Sequence, residues 1–494
     1  MRDDEIRRVL SAANPWWVSA AGGADVVAWT SSHRLLRDRG EYDLGYRADV
    51  LDDIAAGSPD GSLVVLTGPR RIGKSVALLD AIAALCRCSD VDPRQIIHVP
   101  CDGMRDRDLR RVITLGRALT RSVDLQHPVR RVWFFDEISA IPGWTSVLKA
   151  ARDSTEFGDD TVVATGSRWA SNEDVHGNLL AGRAGRSNGH RIRQLLPMTF
   201  RDYLAATRPE LPMIPAEHPG NLQSQEARET LHSVEFAVDD YDLAWQDYLT
   251  CGGFPRAVAE HAKTGAVSNP YVRDLLAWLR ADIDPDAAND SVPRLLAGIA
   301  GRMTSPLNLT RTSQDLGYSN RPVLERRVTR LINSHAALWC QQRADRGDLV
   351  VGAQHKLYLT DPILAWAPSL ASPGLPEPDM TALNEATLAV ALARRIDELD
   401  EGRWVAEDTI GYARTASGNE IDFAPVRVPN SAGPTLTTPI ESKWIDAGWR
   451  SEVKTMGGKY GRGILATKSI LDIDDSIWAV PSPLLALLLN GERP

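Results

Sequence analysis

Apolar residues in this chain fall into short unbroken runs, separated by segments in which they recur at helical spacing. Leu63-Val64-Val65-Leu66 is the first clear run, and a helix-period segment follows it to residue 85. Residues 95–99 form a second run, 131–135 a third and 161–164 a fourth, with an Arg-rich helical stretch at 106–123 expected to show a solvated face. Unbroken apolar runs suit strands buried on both faces, and their alternation with helices predicts a mostly parallel sheet covered on both sides. Upstream, Val50, Leu51 and Ile54 share one helix face. Downstream the periodicity lapses. Residues 206–235 are rich in Pro, Glu and Gln and predict an exposed insertion or linker. Residues 241–282 return to helical spacing, interrupted by Gly252-Gly253-Phe254-Pro255, a turn that would set the angle between helices.

The remaining third shows a different rhythm. A short helix at 312–316, a turn at Gly317-Tyr318-Ser319 and a second helix with the stripe Val323, Leu324, Val328, Leu331 and Ile332 precede two strands flanking Asp345-Arg346-Gly347-Asp348. This is the order of a winged helix with its wing turn. Residues 367–381 are proline-rich and aperiodic, the expected linker. A helix at 382–399 follows, then a hairpin of 404–412 and 420–428 turning at Ser417-Gly418-Asn419, and strands at 440–444 and 463–467.

Composition narrows the class. At 494 residues and 43% hydrophobic, the chain is globular and too long for a single ordinary core. Its net charge of −9 gives no general nucleic-acid signature, so any such contact needs a local patch. The five cysteines form a sparse, odd set that suits reduced thiols and a cytoplasmic setting. Cys86, Cys88, His98 and Cys101 lie close together, but their spacing fits no common zinc pattern and reads as ordinary burial. The charged N-terminus lacks a signal-peptide core, and no apolar run is long enough to span a bilayer.

The chemistry concentrates after the first strand. Gly68-Pro69-Arg70-Arg71-Ile72-Gly73-Lys74-Ser75 fits the phosphate-binding pattern GxxxxGK[ST], with Val76 continuing into the helix. Its glycines let main-chain N–H groups turn toward phosphate oxygens, and the helix N-terminus adds partial positive charge. Lys74 would reach the β- and γ-phosphates of ATP, and Ser75 would ligate Mg²⁺. The third apolar run ends in Asp136-Glu137, carboxylates suited to the Mg²⁺ shell and to orienting the attacking water. Thr165 or Ser167, at the end of the fourth run, would sense the phosphate or that water. Arg183 and Arg186, in Ala-Gly-Arg-Ala-Gly-Arg, are candidates for neutralising transition-state charge, in the same or a neighbouring subunit. Trp16-Trp17 reads as a packing anchor, with an adenine contact as the sharper alternative.

Two further clusters carry chemistry. Arg321, Arg326, Arg327 and Arg330 lie on or near the second helix of the winged-helix pattern, where they would meet DNA phosphates or a protein partner, with Glu325 diluting the patch. In the last segment, Asp422 and Glu441-Ser442-Lys443 resemble the PD-(D/E)xK nuclease arrangement. Glu441 and Lys443 share one strand face, Asp422 would join Glu441 at a Mg²⁺, Lys443 would act on the water, and Glu385 would complete the set. Glu420 is an alternative ligand, but it is expected to face away from Asp422 and be solvated.

NPWW at 14–17, TGPRRIGKS, FFDEISAIPGW at 134–144, ATGS, the AGR step, LLPMTFRDYL at 195–204 and CGGFPRAV at 251–258 occur in a characteristic order. Together they resemble a family of prokaryotic AAA-superfamily ATPases whose C-terminal domain is related to restriction-endonuclease folds. The resemblance implies an α/β chain: an N-terminal lead-in at 1–60, a P-loop ATPase core at 61–205, an insertion and helical lid at 206–290, a winged helix at 291–366, the linker at 367–381 and a nuclease-like domain at 382–494. It implies ATP binding, and with the motif reading the expectation is a slow Mg²⁺-dependent ATPase whose nucleotide state controls a DNA-associated winged helix and nuclease-like domain, or alternatively a switch that binds a protein partner through an inactive nuclease-like domain. The expected partners are DNA or a protein, with no membrane association, and self-association is compatible with the arginine reading.

Overall fold

The computed structural model describes residues 1–57, 61–120, 130–154, 156–167, 179, 191–284, 291–399 and 409–491. The chain divides into two units, one of residues 1–43 and 47–196, the other of residues 44–46 and 197–494.

The first unit is built on five strands: β1 (Leu63–Thr67), β2 (Ile96–Pro100), β3 (Val132–Asp136), β4 (Thr161–Gly166) and β5 (Ile192–Gln194). They are all parallel, in the order β2-β3-β4-β1-β5. The runs Leu63–Thr67 and Thr161–Gly166 are buried at every position, as central parallel strands require. Trp133 and Phe135 stack at 5.7 Å on one sheet face, with Phe157 edge-on to both. The Arg-rich helix spans Asp106–Leu119. It turns Leu109, Val112, Ile113 and Leu115 inward, so only its opposite face is solvated.

The Asn-Pro-Trp-Trp segment closes the open edge of this sheet. Asn14 accepts from the His98 amide at 2.6 Å and donates to the His98 carbonyl at 2.9 Å, pairing with β2 as a neighbouring strand would. The indole N–H groups of Trp16 and Trp17 donate to the Ile96 carbonyl at 3.0 and 2.8 Å. An uncovered edge is a template for unwanted pairing, and these bonds remove it. With β3 and β4 between β2 and β1, the pair lies roughly 14 Å across the sheet from the P-loop strand. Its anchoring role is therefore the one the geometry supports, rather than an adenine contact.

The second unit begins with helices at Phe200–Thr207, Gln225–Ser233, Val238–Cys251, Pro255–Thr264, Asn269–Ile283 and Ser291–Ala300. The 206–235 segment is not an exposed linker. Leu211, Ile214, Leu222, Ala227 and Leu231 are buried, at irregular spacings that hide them from a periodicity reading. The Gly252-Gly253 turn is held by Asp361, which accepts from the amides of Gly253 at 2.8 Å and Ile363 at 2.9 Å. Burial pushes the Asp361 carboxyl up to about 7, against those two amides and Arg394.

Helices Leu309–Asp315 and Arg321–Asn333 precede β6 (Ala337–Gln342) and β7 (Lys356–Leu359), which pair antiparallel. The expected linker at 367–381 is helical over its first residues, because helix Pro362–Ala371 runs through Pro368. Pro362 fits the first turn of that helix, where no amide donor is needed.

Beyond helix Met380–Leu399 come β8 (Gly411–Arg414) and β9 (Glu420–Ile421). The small ribbon of β10 (Arg427–Val428) and β11 (Thr435–Leu436) follows. The last strands, β12 (Ile440–Ser442), β13 (Gly463–Thr467) and β14 (Ile477–Pro481), form a parallel sheet. Residues 404–408, expected to begin the hairpin, lie outside the described residues. One pairing was not anticipated. β6 runs parallel to β8, with Gln341 opposite Gly411 and Gln342 opposite Tyr412, so the β6–β7 hairpin and the C-terminal strands share one sheet in the order β7-β6-β8-β9. Among the described residues, no helix is long and apolar enough to cross a membrane.

Candidate functional site

At the C-terminal ends of β1, β3 and β4 the P-loop residues meet the carboxylates. The helix Lys74–Arg87 starts directly after Gly73, as the motif predicts. Gly68 takes φ 155° and Gly73 φ 105°, while Arg71 is left-handed at φ 62°. Gly68 is pressed against the chain leaving β5: a Cβ there would lie 2.0 Å from the Leu195 carbonyl oxygen. Pro69 and Ile72 are buried, Arg70 and Val76 half-buried, and Arg71 exposed. Lys74 is buried with its ammonium donating to the carbonyls of Gly68 at 2.9 Å and Pro69 at 2.8 Å.

Ser75 Oγ donates to Asp136 Oδ1 at 3.1 Å. Because β4 lies between β1 and β3, its Thr165 sits between motif and carboxylates. Thr165 Oγ1 donates to Asp136 Oδ1 at 2.8 Å and accepts from the Glu137 amide at 2.9 Å. Glu137 adopts the left-handed φ of 55°, uncommon for a non-glycine residue. Its Oε1 accepts from Ser167, from the amide at 3.3 Å and from the hydroxyl. Thr165 thus orients the two acids, and Ser167 holds the second.

Hard oxygen donors on Ser75 and Asp136 suit Mg²⁺, which keeps most of its waters and takes one or two protein ligands. Bound there with nucleotide, Mg²⁺ would neutralise charge on the phosphate oxygens. Ser75 and Asp136 would hold it. Arg183 and Arg186 lie outside the described residues.

The sequence reading passed over Asp102 and His33 here, and took His98 only as ordinary burial. Asp102, just beyond β2, faces the same carboxylates. Its own carboxyl is raised, first by burial and then by Glu137 and Asp136, with Arg70 opposing. His33 and His98 both lie within the field of Asp136, yet burial outweighs that field and lowers the basicity of each imidazole. None belongs to a short motif, so only the three-dimensional arrangement reveals them.

The C-terminal acids also converge, around a residue the sequence did not single out. Lys356 on β7 is fully buried, and its ammonium meets Glu385 at 2.9 Å, Glu420 at 2.7 Å and Asp422 at 2.9 Å. Tyr358, two residues along on the same face, donates its hydroxyl to Glu385 at 2.6 Å. Asp422 Oδ2 accepts from the Ser442 amide at 2.9 Å. Glu441 is paired with Lys443 at 2.8 Å and accepts weakly from the Asp422 amide at 3.3 Å. Glu420 does not face away from Asp422. Residues two apart on a strand share a face, and both reach the same ammonium.

Burial would raise Asp422, but the ammonium groups of Lys356 and Lys443 hold it below the usual carboxylate range. Burial and the Asp422 charge push Glu385 and Glu441 each up to about 7. The expected nuclease-type Mg²⁺ does not fit this arrangement, because a lysine ammonium already lies among the acids. Among the described residues, no group of three or more His, Cys, Asp or Glu is disposed to hold a metal ion.

The arginines of helix Arg321–Asn333 are largely engaged within the chain. Arg321 pairs with Glu325 at 2.7 Å, Arg330 donates to the Ile283 carbonyl at 2.8 Å, and Arg327 pairs with Asp284 while lying 4.5 Å from the Tyr318 ring centroid. Arg326 is exposed.

Residues 60–204 match a family described as AAA domain. That segment is an AAA-type P-loop ATPase domain on a parallel α/β sheet, which implies ATP binding and hydrolysis. Among solved structures, the Walker-type ATPase PABY2304 of Pyrococcus abyssi is similar at 15% identity and a TM-score of 0.37, over 66% of this chain and 99% of its own. A single-substitution variant of RuvB from Thermotoga maritima is similar at 15% identity and a TM-score of 0.25, over 62% and 91%. The ORC1 protein of Aeropyrum pernix, solved in complex with DNA, is similar at 13% identity and a TM-score of 0.29, over 72% and 95%. No curated protein matches the chain at a significant level.

Proposed function

We propose that this protein is a slow, Mg²⁺-dependent ATPase that acts as a switch, its nucleotide state controlling how residues 197–494 engage a protein partner. The observation that carries the reading is the meeting of Lys74, Ser75, Asp136 and Glu137 at one end of the sheet, with Thr165 and Ser167 orienting the acids. In this reading the loop amides and Lys74 bind the triphosphate, Ser75 and Asp136 hold the metal, and Glu137 orients and polarises the attacking water. Arg183 or Arg186 supplies the transition-state cation.

Control of the second unit is argued from chain continuity. β5 pairs with the P-loop strand β1, the Leu195 amide donates to the Thr67 carbonyl at 2.8 Å, and the Leu195 carbonyl abuts Gly68. Two residues further on, the chain enters the second unit at Pro197. A phosphate that moves the loop therefore moves this strap of residues 195–197. We read residues 291–366 as a winged helix and residues 382–494 as a nuclease-like module, both serving contact rather than cleavage. A protein partner is favoured over DNA because Arg321, Arg327 and Arg330 already have partners within the chain. A nucleic-acid partner would instead declare itself by binding with a steep salt dependence.

Hydrogen exchange on the full chain tests the coupling. With Mg-ATP, amides of the P-loop and of residues 195–204 should exchange more slowly together. Protection confined to the P-loop, with 195–204 unchanged, would overturn the switch while leaving ATP binding intact.

A further inference from the structure

Four carboxylates lie close together in the C-terminal module, an arrangement that ordinarily requires a bound cation. Glu385 comes from a helix, Glu420 and Asp422 from β9 and the residue after it, and Glu441 from β12. All but Glu420 are at least nine-tenths buried. The charge that answers them is covalently attached. An ammonium has three N–H donors, and Lys356 Nζ has three carboxylate oxygens at 2.7–2.9 Å, one each from Glu385, Glu420 and Asp422. The Tyr412 ring covers the ammonium at 5.7 Å. The fourth acid, Glu441, is neutralised by Lys443.

We propose that Lys356 is the resident cation of this cluster, standing where a divalent ion would bind, so that the module takes up no metal and hydrolyses no phosphodiester. A divalent ion entering between Glu385 and Asp422 would have to push a fully buried ammonium away from two of its three carboxylates and leave it Glu420 alone, at a large desolvation cost. The lysine also has a mechanical consequence. It is carried on β7, and its carboxylates are carried on the C-terminal elements, so the ion pairs fasten the β6–β7 hairpin to the module alongside the β6–β8 pairing. Hairpin and module should therefore behave as one body.

The test is Mn²⁺ uptake by nucleotide-free, full-length protein, read by electron paramagnetic resonance, together with thermal melting in EDTA and in Mn²⁺. Wild type and Asp422→Asn should bind the same number of ions. Lys356→Ala should melt at lower temperature than wild type in EDTA, bind one additional Mn²⁺ per chain, and recover in melting temperature as Mn²⁺ is added. Adding Asp422→Asn to Lys356→Ala should abolish both the extra ion and the recovery. Should Lys356→Ala be unfolded in EDTA, folding on addition of Mn²⁺ gives the same support. A wild-type ion that Asp422→Asn loses would overturn the proposal, as would a Lys356→Ala protein that gains no ion.

Discussion

Glu137→Gln is expected to bind Mg-ATP as the wild type does and to turn it over about 10²–10⁴-fold more slowly, the range a positioned general base supplies. The substitution keeps the size of the side chain, and an amide oxygen can still accept from the Ser167 amide and hydroxyl as Glu137 Oε1 does. The metal-side residues Ser75 and Asp136 are untouched. What is lost is the negative charge that polarises water. The backbone supports this role: Glu137 is held at φ 55°, and its amide is fixed by Thr165 Oγ1 at 2.9 Å. Left-handed backbone at a non-glycine residue costs on the order of 1–3 kcal/mol, and such strain persists where surrounding structure enforces it. Phosphate release and equilibrium nucleotide binding, measured on the same preparation, separate the two effects. Unchanged turnover would remove Glu137 from the chemistry.

Gly68→Ala should abolish measurable nucleotide binding, a loss of at least roughly 100-fold in affinity. The new methyl carbon would lie 2.0 Å from the Leu195 carbonyl oxygen, a backbone atom that cannot swing aside, at a residue whose φ is 155°. Overfilling and backbone strain each cost roughly 1–3 kcal/mol, enough to shift the loop or the strap beside it. Gly73→Ala is the companion variant. Its methyl would meet nothing within 4 Å, but φ is 105°, so it imposes strain without collision. It should lower affinity less than Gly68→Ala and leave the first unit folded. Equal, wild-type affinity in both variants would mean that the loop does not need its observed backbone.

Much of the first unit was readable because its signals are local. A fully buried parallel strand is a continuous apolar run, and β1, β3 and β4 each lead into residues whose chemistry is explicit. Ser75 and Asp136 could be paired on motif spacing, and they lie 3.1 Å apart. Asp102 could not, since one acid in a Cys-Asp-Gly turn has no pattern until β2 is set beside β3. The second unit was read less well for related reasons. Leu211, Ile214 and Leu222 are buried along a segment with no regular period, so composition suggested a linker. Pro368 suggested a break, although helix Pro362–Ala371 accommodates it.

The C-terminal acids show the same division. Asp422 and Glu441 were identified because their order resembles the nuclease pattern, with Glu441 and Lys443 on one strand face, and Glu385 because the preceding helix could complete the set. Strand alternation places Glu420 with Asp422, and the expectation that it would be solvated ran against that rule. Lys356 was missed because its meaning depends on a partner strand far along the chain. One local signal was present: Lys356 and Tyr358 are polar at alternate positions of β7, a strand buried throughout. A buried strand with a charged residue and a phenol on one face needs a polar counterpart, and the acids provide it.

The most direct measurement is calorimetric titration of ATP with Mg²⁺ into the purified full-length chain and into Lys74→Ala. One nucleotide per wild-type chain, with uptake lost in Lys74→Ala while the variant's melting temperature is kept, is the result expected from a lysine whose ammonium hangs over the loop carbonyls of Gly68 and Pro69. Absence of heat with the folded wild type at millimolar nucleotide, or undiminished uptake by Lys74→Ala, would contradict it.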